Sequence, residues 1–168
     1  TAGLTRTGGF GNYIQTKQLI NTSTQLLQSQ SYTDVTGFST SITPNSASNF
    51  LIVSSTINAG STGSGGYILQ RKIGSGSYSN LGTIIGADDG SRLECTINVG
   101  QTGDSSIHEY SYTFVDYPNT TDEVFYKWQM ATPYHSSYKI THNRSMVDSD
   151  ASYYPRTAST MIISEVAG

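Results

Sequence analysis

The sequence predicts an all-β protein, an antiparallel two-sheet sandwich of jelly-roll type, on three observations. The first is composition: 25 Ser and 22 Thr among 168 residues, with 17 Gly and 12 Tyr. Thr and Tyr suit pleated, half-buried surfaces, while Ala, Leu, Glu and Lys, the good helix formers, are scarce. The second is an alternation of apolar and polar residues at the period of two that a strand with one buried face requires. The third is turn chemistry at roughly regular spacing, the signature of a sandwich, jelly roll or barrel. A disordered Ser/Thr-rich stalk would share the composition but not the alternation.

Residues 1–12 hold four Gly and only Leu4 and Phe10 as sizeable apolar groups, and read as a flexible arm or linker. A single sandwich domain is expected over residues 13–168. Leu19, Ile20, Leu26 and Leu27 sit at helical spacing, but Asn21-Thr22-Ser23-Thr24 between them is poor helix material, so this stretch reads as two strands or one bent strand. Phe38, Thr40 and Ile42 alternate with Ser39, Ser41 and Thr43 until Pro44. After the polar turn 45–49, Phe50 to Ile57 is apolar on both faces in its first half, as in a central strand. Gly60 to Gly66 reads as a loop, Tyr67, Leu69, Arg71 and Ile73 as an alternating strand, and residues 74–77 as a turn. Thr83 to Ile85 is a short strand, Gly86-Ala87-Asp88-Asp89-Gly90 a turn, and Leu93 to Val99 a further strand.

The clearest hairpin signal follows. Tyr110, Tyr112 and Phe114 share one face, residues 117–122 supply the turn, and Val124, Tyr126, Trp128 and Met130 share a face of the returning strand. Tyr138 to His142 reads as a short strand, Asn143 to Pro155 as a long polar loop, and Ser159 to Val166 as the last of eight or nine strands. The expected core contains Phe38, Ile42, Ile52, Tyr112, Phe114, Tyr126, Trp128, Ile162 and Val166.

Composition also limits function. Nine basic against twelve acidic residues, with no basic cluster, disfavour a nucleic-acid surface. The longest apolar run, Phe50-Leu51-Ile52-Val53, is far too short to insert in a membrane. The lone Cys95 reads as an ordinary half-buried thiol. A chain that starts at Thr1 rather than Met leads us to expect a processed form or an excerpt of a longer protein.

Signals for chemistry are weak, and we expect no enzyme. No Gly-x-Ser-x-Gly elbow precedes a helix, and His108 beside Glu109 reads as structural. A glycan depolymerase would need paired carboxylates from only four Glu and eight Asp. His135 and His142 are seven apart and define no common metal site. Asp88-Asp89-Gly90 and Asp148-Ser149-Asp150 lack the oxygen-ligand series of a calcium loop, so neither a metal nor a cofactor is expected. The sequons at Asn21, Asn119 and Asn143 read as turns.

Binding is expected on the loops, where Tyr134-His135-Ser136-Ser137-Tyr138 and Tyr153-Tyr154-Pro155-Arg156 gather flat apolar rings with polar tips. The candidate contact residues are Tyr134, His135, Tyr138, Arg144, Tyr153 and Tyr154, which suit either a ligand such as a sugar or the packing of neighbouring subunits.

Three stretches together carry a family resemblance. Val35-Thr36-Gly37-Phe38-Ser39-Thr40-Ser41-Ile42-Thr43-Pro44, running on to Phe50-Leu51-Ile52-Val53, resembles the opening strands of a domain common in structural proteins of marine phages, especially cyanophages. Phe114-Val115-Asp116-Tyr117-Pro118-Asn119-Thr120-Thr121, followed by Val124 to Trp128, is similar to that family's middle hairpin. Pro155 to Val166 looks like its C-terminal strand, so the match spans nearly everything after Tyr32. The resemblance implies a tail-fibre-like β-sandwich module on a virion, self-associating and without catalytic residues. Two roles are open. One is adhesion to a host surface glycan or protein; the other is a capsid-decorating or fibre-building subunit that binds only other virion proteins. A symmetric homo-oligomer is expected in either case, a trimer above other symmetries, because repeating one surface around an axis adds stability and avidity.

Overall fold

The computed structural model describes residues 12–87, 90 and 94–168. The arm expected over residues 1–12, except Asn12, lies outside the described residues, as do Asp88, Asp89 and Leu93. Among the described residues eleven strands form: β1 (Tyr13–Asn21), β2 (Gln25–Leu27), β3 (Thr33–Ile42), β4 (Phe50–Ser61), β5 (Gly65–Ile73), β6 (Ser79–Asn80), β7 (Ile97–Val99), β8 (His108–Asp116), β9 (Val124–Ala131), β10 (Ile140–His142) and β11 (Ser159–Val166). Among the described residues the only helix is a single 3-10 turn at Gly82–Ile84, where a short strand was expected from Thr83. None is long and apolar enough to cross a membrane.

All pairings are antiparallel. Sheet 1 runs β1-β11-β4-β8, with β10 continuing along β4 beyond the end of β11 and β2 added outside β10. Sheet 2 runs β3-β9-β5, and β6 and β7 share the far edge of β5. Taking the principal strands in chain order, with β6 and β7 as one position, the sheets read 1-8-3-6 and 2-7-4-5. That order is the jelly roll.

The strand order corrects the expected hairpin. β8 and β9 do not pair; β8 lies against β4 in sheet 1, and β9 lies between β3 and β5 in sheet 2. Their connection, residues 117–123, is too long for a two-residue turn and spans the gap of about 10 Å between packed sheets. Asp116, the last residue of β8, fastens the crossing by accepting from Arg71 Nη1 at 2.6 Å and from the Tyr126 hydroxyl on sheet 2.

The core lies between the sheets. Phe38, Ile42, Tyr126, Trp128 and Val166 are buried as the alternation predicts. Trp128 donates its indole N–H to Ser55 across the sandwich at 3.0 Å, so its one polar atom is satisfied. Ile52 and Ile162 instead face outward, while Leu51, Val53, Met161 and Ile163 point in. Both errors fall in runs apolar at consecutive positions, where alternation cannot choose the inward parity. Tyr112 and Phe114 reach the core only from its margin and stay partly exposed. The expected loop from Gly60 to Gly66 shrinks to residues 62–64, because β4 and β5 extend into it. The strand expected from Leu93 begins only at Ile97.

The outer faces of the two sheets differ. Sheet 1 presents Thr16, Gln18 and Ile20 on β1, Thr160, Ile162 and Ser164 on β11, Ile52, Ser54, Thr56 and Asn58 on β4, and Glu109, Ser111, Thr113 and Val115 on β8, with Glu109, at the strand's start, the one charged residue of this set. Hydroxyl pairs run across it, Thr16 with Ser164 at 3.0 Å and Thr113 donating to Ser54 at 3.0 Å. Sheet 2 carries charge: Lys127 bonds Asp34 at 2.7 Å and lies 4.3 Å from the Tyr78 ring centre, and Lys72 lies 4.1 Å from that of Phe125.

Candidate functional site

Residues 22–32, 62–64, 100–107 and 132–158 come together at one end of the sandwich, because the strands they join all begin or end there. The last of these connections is the longest and contains both loops the sequence marks for binding. β10 divides it and pins it to β4.

The first loop holds Tyr134, His135 and Tyr138 together. The Tyr134 and Tyr138 rings stack at 6.0 Å with an interplanar angle of 24°, and His135 lies 5.4 Å from Tyr138. Tyr138 lies on Gly63, where an added Cβ would press into its ring, so a larger residue there would displace the tyrosine. Gln28 donates to the Ser136 carbonyl at 2.9 Å and Gln30 to that of Pro133 at 3.1 Å, bracing the loop from the neighbouring connection. Tyr134 remains 74% exposed. His135 Nδ1 accepts from the Ser137 amide at 3.1 Å and contacts its hydroxyl at 2.7 Å. No carboxylate among the described residues hydrogen-bonds His135.

The second loop holds Tyr153 and Tyr154, with ring centres 4.4 Å apart. Arg144 does not present its guanidinium freely: it donates to the carbonyls of Ser145 and Met146 at 3.0 Å each and pairs with Asp148 at 3.3 Å. Arg156 donates to both Asp148 oxygens at 3.1 and 3.0 Å, and these bonds hold the Asp148 carboxyl below its ordinary range. Asp148, Ser149, Asp150, Ala151, Tyr154 and Arg156 line an open cleft of about 480 Å³. An aromatic side chain beside carboxylate, guanidinium and hydroxyl groups gives such a cleft both an apolar contact and hydrogen-bond donors and acceptors, which suits a polyhydroxylated ligand. No hydrogen bond among the described residues joins this patch to the first, and no group of three metal-ligating side chains occurs among them.

Sequence reading passes over the residues that hold this end rigid. Asn143 is fully buried with φ 57°, donating to the carbonyls of Asn21 at 2.8 Å and Ser23 at 3.1 Å and accepting from the Ser159 hydroxyl at 2.6 Å. Asn119 takes a similar left-handed φ of 51°, so these two sequon residues are turn formers. His142 is also fully buried, against Phe38 and Tyr67, with no partner for Nε2 among the described residues, and burial pushes its pKa down from 6.5 to about 4. Tyr154, a candidate contact residue, lines the cleft, and Asp148 and Arg156, opposite charges flanking the Tyr153-Tyr154 pair, were a further legible sign of it. Cys95 is half-buried, and that burial raises its thiol pKa.

Fold and site define an eight-position jelly-roll module with one heavily braced, aromatic loop end. No protein-family model matches the chain. No curated protein matches it either. Among solved structures, that of the infectious bursal disease virus Gt strain aligns with a TM-score of 0.46 and 13% identity over 100% of this chain and 42% of its own. The Gx strain structure gives 0.43 and 11% over 99% and 43%, and the crystal structure of the infectious bursal disease virus VP2 subviral particle gives 0.40 and 8% over 90% and 39%. This chain therefore spans less than half the length of each. At that distance the likeness carries no argument, and the jelly-roll assignment rests on the strand order.

Proposed function

We propose that the chain is a non-catalytic structural module of a virus particle that attaches to a host-surface glycan or protein through its loop end. The observation that carries this reading is the pair of tyrosines held out on braced loops, Tyr134 at 74% and Tyr153 at 64% exposure. Exposed rings on a rigid base lose little conformational freedom on binding and offer stacking faces with polar tips. A net charge of −3 provides little long-range steering, so recognition works by contact. Each stacked ring contributes about 1 kcal/mol, and several copies are needed to hold a cell, which fits a symmetric oligomer, with a trimer as the reading from the family resemblance.

The second reading is a capsid-decorating or fibre-building subunit that binds only other virion proteins, favoured by the outer face of sheet 1, where Glu109 at one end of β8 is the one charge among the strand residues named above. Particles carrying Tyr134→Ala, Tyr153→Ala and Tyr154→Ala together should assemble and lose adsorption to host cells. Normal adsorption would remove the loops as the receptor site, and failure to assemble would give the structural reading precedence.

A further inference from the structure

Sheet margins expose unpaired backbone N–H and C=O groups, and folded proteins blunt them to prevent pairing with another chain. Three of the four long margins here are blunted. β1 has an irregular register between Tyr13 and Gln15 and carries Lys17. β3 breaks register between Asp34 and Ser39, and its backbone is covered by side chains: Gln25 donates to the Asp34 carbonyl and accepts from the Thr36 amide, and Asn21 donates to the Thr36 carbonyl. The far edge of β5 is shielded by β6 and β7, themselves only two and three residues long.

β8 is the exception. It runs nine residues in unbroken register with β4, without proline, lysine or bulge. Among the described residues no backbone hydrogen bond reaches it from any element besides β4. Its inward side chains, Tyr110, Tyr112 and Phe114, follow the pattern of core residues yet remain partly exposed on the open side of the sandwich.

We propose that β8 pairs antiparallel with β8 of a second copy of this chain about a two-fold axis at Tyr112. The strand is complementary to itself in that register. Tyr112 faces Tyr112, Tyr110 faces Phe114 and Ser111 faces Thr113, so aromatic meets aromatic inside and hydroxyl meets hydroxyl outside. Every residue of β8 finds a partner, for roughly nine backbone hydrogen bonds against the about ten direct hydrogen bonds of a standard interface. The two copies of sheet 1 become one sheet eight strand positions wide with a continuous outer face. That outer face places Glu109 opposite Val115 and never opposite another acid. The contact is isologous and doubles whatever else forms: a dimer from a lone sandwich, a hexamer from a trimer.

The test uses the full chain at micromolar concentration. Sedimentation velocity should give an even multiple of the chain mass, and S111K/T113K, which sets lysine against lysine across the axis, should halve it while circular dichroism keeps its β-sheet form. In a Cys95→Ser background, Tyr112→Cys should oxidise to a covalent dimer, whereas Ser54→Cys, central on the outer face, should not. A monomer or odd multiple, an unchanged mass in the folded lysine variant, or cross-linking at position 54 in place of 112 would overturn the pairing. Because these readouts involve no host cell, they stand or fall independently of attachment through Tyr134 and Tyr153.

Discussion

β9 and β8 follow one another in the chain with the same alternation of large apolar and polar side chains, yet one lies in the middle of a sheet and the other at its margin. β9 runs between β3 and β5, and its Val124, Tyr126, Trp128 and Met130 are all at most 1% exposed. β8 has only β4 beside it, and its three aromatic side chains stay partly in water. The difference teaches that alternation reports a face and says nothing of whether the strand has one neighbour or two. Burial of the face depends on that count, because a side chain at the margin lacks a flanking row of packing atoms.

The contrast is most directly broken at Trp128. Trp128→Ala should cost about 3–5 kcal/mol in urea unfolding, since it empties the largest fully buried site and strands the Ser55 hydroxyl. A loss no greater than that from a β8 truncation would show the two strands to be equivalent in energy.

Acid reaches the closed interior through one buried histidine. Tyr67 meets Trp128 edge-on at 6.4 Å and also packs against His142. The folded chain keeps the pKa of His142 near 4 against an ordinary 6.5, so between those values the unfolded chain binds a proton that the folded chain refuses. Stability is therefore complete above pH 6.5 and falls as pH drops toward 4, by about 3 kcal/mol in all. Urea titrations across that window should show the fall, and His142→Leu should flatten it. A slope retained in His142→Leu would assign the acid sensitivity elsewhere, for instance to the buried Glu165. Burial alone would raise the Glu165 pKa, but hydrogen bonds from Asn49, Gln15 and the Asn45 amide bring it below its ordinary value.

The smallest effect belongs to the margin. Phe114→Ala should cost about 1–2 kcal/mol in dilute protein, because only part of the ring leaves water on folding. The cost should grow with protein concentration if β8 meets a second β8, as binding of the native state adds to stability by mass action. A cost independent of concentration would sharpen the comparison the other way and leave β8 a solitary edge.

Several features of the site were legible because they are local. Tyr134, His135 and Tyr138 are close in sequence and the structure holds them in one patch; Tyr153 and Tyr154 are adjacent and touch. Arg144 was legible as a charge but not as a brace, since its acceptors depend on the path of its own loop. Asn143 was legible as a turn former, whereas its partners, Asn21, Ser23 and Ser159, are separated from it by 122, 120 and 16 residues.

The sequence by itself determined an all-β chain, the approximate positions of the long strands from β3 onward, the inward parity of β9 and the reading of Asn119 and Asn143 as turns. Each follows from propensity and period within a short window, where neighbours in the chain are the neighbours that matter. Only the tertiary structure decided that β8 and β9 belong to different sheets, that Leu51 and Met161 rather than Ile52 and Ile162 face the core, and that β10 fastens both aromatic loops to one end. Those outcomes depend on which strand lies beside which, and pairing partners far apart in the chain leave no periodic trace in either segment.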